Sequence, residues 1–175
     1  MAIPPDVGVK LLGEVHEAFE NRKVKYWIGR GVFRQLTLHQ EFGDKQGDID
    51  VHVLREDEVR VREVVEDLLG RGFAIQHSQA GYVLQFSYKI ALIKDGNRVE
   101  IQFLEREGTS RFYRAGGVGQ LKFCAPEGVY SESTSVDAGT LVRVPEPAYL
   151  PAVYGPGWRD EEKTGGSPAG SPCPQ

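Results

Sequence analysis

Asp48, Asp50 and His52 occupy every second position of the stretch GDIDVHV, residues 47 to 53, separated by Ile49, Val51 and Val53. Strict alternation is the period of a β-strand, so one face is aliphatic and the other carries two carboxylates and an imidazole. A second stretch, RVEIQFL at residues 98 to 104, repeats the arrangement, with Val99, Ile101 and Phe103 on one face and Arg98, Glu100 and Gln102 on the other. If the two strands are neighbours in a sheet, Glu100 comes within about 5 Å of one of the aspartates. Carboxylates gathered there repel. Two unit charges at about 4 Å interact by roughly 4 kcal/mol at an effective dielectric of about 20. Either solvation at the rim of the sheet or a divalent cation must offset that repulsion. Carboxylate oxygens are hard ligands that suit Mg²⁺ or Mn²⁺, ions that keep waters and also take substrate phosphate. A bare D-x-D is weak on its own, since roughly half of chains this long contain one by chance at average composition. The second acid-bearing strand is what separates a candidate metal site of Asp48, Asp50 and Glu100 from an ordinary solvated strand face.

The next stretch with chemical content is WIGRG, residues 27 to 31, which ends an apolar strand and opens a helix with a glycine on each side of Arg30. Glycine lets the backbone approach a ligand closely, and a helix N-terminus offers unpaired N–H groups to an anion. Gly29, Arg30 and Gly31 are therefore candidate phosphate-binding residues. They precede the acid strand by one short helix, which sets the turn beside the carboxylates so that phosphate and metal share one pocket.

These residues need a scaffold, and the flanking sequence supplies it. The segment PPDVGVKLLGEVHEAFENRK predicts a helix, with Asp6 placed to cap it and Leu11, Leu12, Val15 and Phe19 forming its apolar stripe. VKYWI predicts a short strand, and GRGVFRQLTLHQ a turn leading into a short helix. In REDEVRVREVVEDLLGRG, Val61, Val64, Val65, Leu68 and Leu69 share a helical face that Gly70 or Gly72 ends, and the acids of the first turn suit the helix dipole. GYVLQFSYKIALIKDGNRVEIQFLE then predicts strands with a tight hairpin at Asp95-Gly96. RFYRAGG and QLKFC predict further short strands, low regularity follows, and a short helix is expected within VPEPAYLPAVYGPGW. Strand-helix-strand-helix order followed by antiparallel strands indicates a single α+β domain over residues 1–158, built on a mixed sheet flanked by helices. Residues 159–175, polar and rich in glycine and proline, read as a disordered tail.

Composition limits the partners. The 175 residues are 40% hydrophobic and 26% charged, as in an ordinary globular domain. A net charge of -4 gives no global basic field for nucleic acid or an anionic membrane. Cys124 and Cys173 stand far apart with no C-x-x-C, which suits neither a disulfide framework nor a zinc site and fits a reducing cytoplasm. MAIPPDVGVK lacks a basic region followed by an apolar run, so no signal peptide is expected, and IALI is too short for a membrane span.

Strand, glycine turn, short helix, D-x-D strand and a later strand with a third acid resemble the nucleotidyltransferase fold of the polymerase-beta-like superfamily. The segment from Gly31 to Asp50 is similar to the LicD/fukutin-like family, in which a glycine turn leads to an acidic D-I-D strand. RVEIQFL resembles that family's following acid strand, and VPEPAYLPAVYGPGW its C-terminal VP…YL…YG..W segment. The resemblance implies metal-dependent transfer of a phosphate-linked group from a CDP-activated alcohol to a sugar or other hydroxyl acceptor, small molecule or glycan. It implies Asp48 and Asp50 as ligands for Mg²⁺ or Mn²⁺ and Glu100 as the third carboxylate, binding metal or activating the acceptor hydroxyl. Gly29 and Gly31 would line the donor phosphates. Three positions depart from the pattern: Arg30 replaces a small residue of the turn, Leu38 stands where the family has a basic residue, and DKQG replaces an acid run before D-I-D. Antibiotic nucleotidyltransferases of the aminoglycoside and lincosamide type also resemble this stretch, and they move a nucleoside monophosphate from a nucleoside triphosphate to a drug hydroxyl. An inactive nucleotide- or partner-binding module of the same fold is the third alternative.

Other residues have plainer readings. His52 shares the acid face as a possible ligand or proton carrier, but a surface histidine is the simpler expectation. Tyr26 and Trp27 read as core or pocket wall. Tyr154 and Trp158 read as pins for the C-terminal segment, with nucleotide stacking as the alternative. Ser131, Ser133, Thr134 and Ser135 crowd one loop without the partners of a serine hydrolase.

Overall fold

The structure is a computed structural model and describes residues 2–76, 88–115, 121–130, 134–137 and 139–160. Helix α1 spans Pro5–Asn21 and buries Leu11, Leu12, Val15, Ala18 and Phe19. Asp6 does not cap it. The helix starts two residues earlier than that reading requires, at Pro5, whose missing N–H costs nothing in the first turn, and Pro4 is the N-cap residue. Strand β1 is Tyr26–Ile28, helix α2 Arg30–His39 and strand β2 Asp48–Leu54. A 3₁₀ turn over Arg55–Asp57 leads into α3, Glu58–Gly70. Strands β3 (Ala74–Ile75), β4 (Lys89–Lys94), β5 (Asn97–Glu107), β6 (Ser110–Ala115) and β7 (Leu121–Pro126) follow. The region expected to be irregular holds a separate hairpin, β8 (Thr134–Asp137) with β9 (Leu141–Val144), before the short helix α4, Tyr149–Tyr154. Those strands are only four residues long, too short for alternation to stand out in the sequence.

The main sheet runs β1-β2-β5-β4-β3, and β6 and β7 extend it from the far end of β5. Among the described residues only the β2/β5 pair is parallel; β1/β2, β3/β4, β4/β5, β5/β6 and β6/β7 are antiparallel. The sheet is therefore mixed, with helices against it, as expected. The aliphatic face of β2 and β5 joins the buried stripes of α1 and α3 in one core that includes Ile49, Val51, Val99 and Ile101. Asp95 (φ 51°) and Gly96 (φ 77°) form the tight turn between β4 and β5. Both residues take the positive φ that a two-residue hairpin of this twist demands.

Cys124 is buried and disulfide-bonded, against the expectation from cysteine spacing. Separation along the chain says nothing of the distance between two Cα atoms in the fold, which is what permits the bond. Of the strand expected from Gly81 onward, residues 81–87 lie outside the described residues, as do Ser131 and Ser133 of the serine-rich loop and residues 161–175 of the tail. No helix among the described residues is long and apolar enough to cross a membrane.

Candidate active site

The parallel register of β2 and β5 pairs Asp48 with Arg98, Asp50 with Glu100 and His52 with Gln102. Both strands point their even-numbered side chains to one face, so the two acid rows form one patch. One ligand oxygen from each of Asp48, Asp50 and Glu100 lies within 4.8 Å of the others. Asp50 and Glu100 are each only 3% exposed, while Asp48 sits partly open at the start of β2. The solvated-face reading fails here, because β2 is buried on both sides from Ile49 to Val53.

Basic groups of the chain hold these acids. Arg30 Nη1 donates to Asp50 Oδ1 at 3.1 Å, and Gln102 Nε2 donates to the same oxygen at 2.5 Å. Glu100 accepts from Lys89 Nζ on both oxygens, at 2.8 and 2.9 Å, and pairs with Arg98 Nη2 at 2.6 Å. Asp48 has no ion pair among the described residues. Burial pushes the Asp50 carboxyl up to about 7, with Asp48 and Glu100 adding to the rise and Arg30 opposing it. Asp48 is raised as well, by burial first and then by Glu100.

The glycine turn lies beside this patch. Gly29 N–H donates to the Asp50 carbonyl at 2.9 Å, which ties the end of β1 to the middle of the acid strand. A Cβ at Gly29 would stand 2.4 Å from His52 Cε1, so the close approach of turn and strand requires glycine. Arg30 then opens α2 with φ 50°, a left-handed value rare outside glycine. Its backbone N–H donates to the Tyr149 hydroxyl at 3.2 Å, so this N–H of the helix start is already taken within the protein. Next to the acids lies a cleft of about 310 Å³ whose wall includes Arg30, Arg34, Lys45, Asp48, Asp50 and Tyr154. Arg34 is 4% exposed; its Nε donates to the Trp158 carbonyl at 2.6 Å, and its Nη2 is buried without a partner among the described residues. His52 is fully buried rather than on the surface, packed among Tyr113, Tyr130 and Tyr149. Burial and then the Arg30 charge drive its imidazole down to about 3, against an upward pull from Gln102, so it is neutral at working pH.

Neither a protein-family model nor a curated protein sequence matches the chain. Solved structures do. ANT(2″)-Ia, in complex with adenylyl-2″-tobramycin, superposes with a TM-score of 0.54 at 18% identity, over 79% of this chain and 69% of that one. The lincosamide antibiotic adenylyltransferase LnuA, lincomycin-bound, gives 0.51 at 14% identity, over 83% and 82%. TM1012 of Thermotoga maritima, a candidate nucleotidyltransferase, gives 0.52 at 17%, over 85% and 83%. The chain has the nucleotidyltransferase fold. At these identities the likeness establishes the fold, and it gives no support to the LicD-like family that the C-terminal motif suggested. That motif is accounted for by packing: Tyr149, Leu150, Tyr154 and Trp158 are all buried.

Within the nucleotidyltransferase fold, the oxygen ligand set here fits a hard divalent cation. Three carboxylates converge, and the most exposed of them, Asp48, is the one left without an ion pair. Sequence reasoning missed three contributors. Arg34 had a signal, because residues four apart on a helix share a face and Arg30 already looked toward the acids. Lys89 had one too: the two-residue turn at Asp95-Gly96 fixes the hairpin so that Lys89 faces Gln102, one step from Glu100. Tyr149 had none, since its place over the start of α2 depends on a chain separation of 119 residues.

Proposed function

We infer that the protein is a metal-dependent nucleotidyltransferase that moves a nucleoside monophosphate from a nucleoside triphosphate to a hydroxyl of a small-molecule acceptor. The observation that carries this reading is the sharing of one cleft by Asp48 and Asp50 of β2, which Glu100 of β5 joins in one cluster, and by Arg30, Arg34 and Lys45. Acids there suit a cation, and bases suit phosphate oxygens. The cleft volume of about 310 Å³ is at the lower end of the range for small-molecule sites.

In this reading Asp48 and Asp50 hold Mg²⁺ or Mn²⁺, and Gly29, Arg30 and Gly31 line the phosphates. A bound divalent cation would neutralise charge gathering on the transferred phosphate. The acceptor oxygen bonds to the α-phosphorus, the bond to the bridging oxygen breaks, and pyrophosphate leaves. Glu100, the third carboxylate, shares the cation or takes the hydroxyl proton. The acceptors of ANT(2″)-Ia and LnuA, an aminoglycoside and a lincosamide, support a hydroxyl-bearing small molecule over a glycan. Nucleotide donors point to a cytoplasmic setting, although the disulfide at Cys124 removes the support that cysteine spacing lent it. A second reading has one observation in its favour: Lys89 and Arg98 together occupy Glu100, as they would in an inactive binding module.

Isothermal titration of ATP, CTP and CDP-choline, with and without Mg²⁺, tests these readings on wild type and on Asp48→Asn/Asp50→Asn. Metal-dependent binding of a triphosphate, lost in the double variant, is the expected result. Metal-dependent binding of CDP-choline in preference to either triphosphate would restore the CDP-alcohol donor. Nucleotide binding that ignores metal, or no binding, would leave the inactive module.

A further inference from the structure

Arg30 is the residue that fits its place least well. It adopts a left-handed backbone, which costs a non-glycine residue about 1–2 kcal/mol, and glycines stand on both sides of it. Its side chain makes one hydrogen bond, Nη1 to Asp50, while Nε is buried without a partner among the described residues. A guanidinium can donate five. The pair is also unequal in freedom. Asp50's side chain is 5% exposed and fixed in the middle of a strand, whereas Arg30's is 22% exposed on the wall of the cleft. Arg30 can leave Asp50; Asp50 cannot leave the sheet.

The guanidinium also sits on an oxygen of the three-carboxylate cluster, where a metal ligand is needed. We propose that Arg30 is an exchangeable stand-in for the divalent cation, neutralising Asp50 while the cleft is free of nucleotide and transferring to the donor phosphates when cation and nucleotide enter together. The proposal rests on the reading of this cleft as a nucleotide and metal site. Arg34 and Lys45 on the same wall mark where phosphates gather, so the released guanidinium finds its new partner within the cleft. Arg30 would thus keep the acids neutralised between turnovers and make cation binding depend on nucleotide. Linkage makes that dependence mutual: nucleotide improves cation affinity by the same factor as cation improves nucleotide affinity.

Mn²⁺ binding followed by electron paramagnetic resonance reads the exchange directly, without turnover. The proteins compared are wild type, Arg30→Gly, Arg30→Ala and Asp50→Asn, each with and without the ATP analogue bearing an α,β-methylene bridge. Glycine suits the left-handed backbone, so Arg30→Gly should fold, and circular dichroism checks both Arg30 variants. Without nucleotide, both are expected to bind Mn²⁺ about 5- to 150-fold more tightly than wild type, the usual range of such coupling. The gain that wild type shows on adding the analogue should shrink by a similar factor in them. Equal or weaker nucleotide-free affinity in the Arg30 variants would overturn the exchange. If wild type and the Arg30 variants then bind Mn²⁺ alike and Asp50→Asn does not, the transferase reading stands without it. Absence of Mn²⁺ binding in wild type and Arg30 variants, with or without the analogue, would overturn both.

Discussion

At the scale of residues, the site is governed by the conflict between burial and charge at Asp50. Its carboxyl titrates at about 7 in the fold against 3.8 for the unperturbed group. Between those values the folded protein holds a proton that the unfolded chain has released, so stability is greatest below 3.8 and declines as pH rises toward about 7. The slope can reach roughly 1.4 kcal/mol per pH unit. Asp50→Asn is expected to remove this decline, which urea denaturation at a series of pH values without divalent cation would reveal. An unchanged slope in the variant would place the proton elsewhere. The identity of the acids was legible from alternation alone, since period two assigns faces without any knowledge of neighbours. Their partners were not. Gln102 and Arg98 were visible on the same face as Glu100, but the Gln102 bond to Asp50 depends on side-chain reach across two strands, and the Arg98 pair with Glu100 on the side chain turning along its own strand.

At the scale of elements, the hairpin between β4 and β5 sets the charge balance of the site. Its turn fixes Lys94 opposite Asn97 and hence Lys89 opposite Gln102, which brings the Lys89 ammonium onto Glu100. Gly96 carries φ 77° with open space where a Cβ would stand, so strain rather than collision opposes a side chain there. Gly96→Val is expected to destabilise the protein by about 1–2 kcal/mol, read as a lower midpoint in urea with an unchanged m-value. No loss would mean that the turn relaxes to another type. The helices were similarly legible. The stripe of α1 and Val61, Val64, Val65 and Leu68 of α3 appear in the sequence as buried sets, because a helix long enough to show several turns repeats its period, whereas Leu69, expected on the same face, is exposed at its edge. The hairpin of β8 and β9 was not, for want of length.

At the scale of the whole molecule, the C-terminal segment locks the turn that begins α2. Tyr149 accepts the Arg30 N–H, and the Trp158 carbonyl accepts from Arg34, so two residues of α2 are held by contacts more than a hundred positions away. Tyr149, Leu150, Val153 and Tyr154 are buried as α4 closes over α2 and β7. Truncation after Glu146 removes these side chains, and with about 1.5–3 kcal/mol for each large apolar group withdrawn from water it should cost several kcal/mol. Thermal unfolding followed by tryptophan fluorescence from the buried Trp27 would show a lower midpoint. A truncated chain as stable as the full one would mean that α4 covers the sheet without supporting it.

Which residues carry charge on which face of which strand, and where the long helices fall, follows from periods of two and 3.6 residues along the chain, and the tight turn from the Asp95-Gly96 pair. The sequence also carried the resemblance to the fold. That β2 and β5 are parallel neighbours, in the register that sets Asp50 beside Glu100, is a property of the assembled sheet. Only there do Arg30 and Lys89 meet the acids, and only there does His52 become a buried neutral ring. The physical reason is that pairing, burial and ion contacts are properties of segments distant in sequence, and no local period records which distant segment arrives.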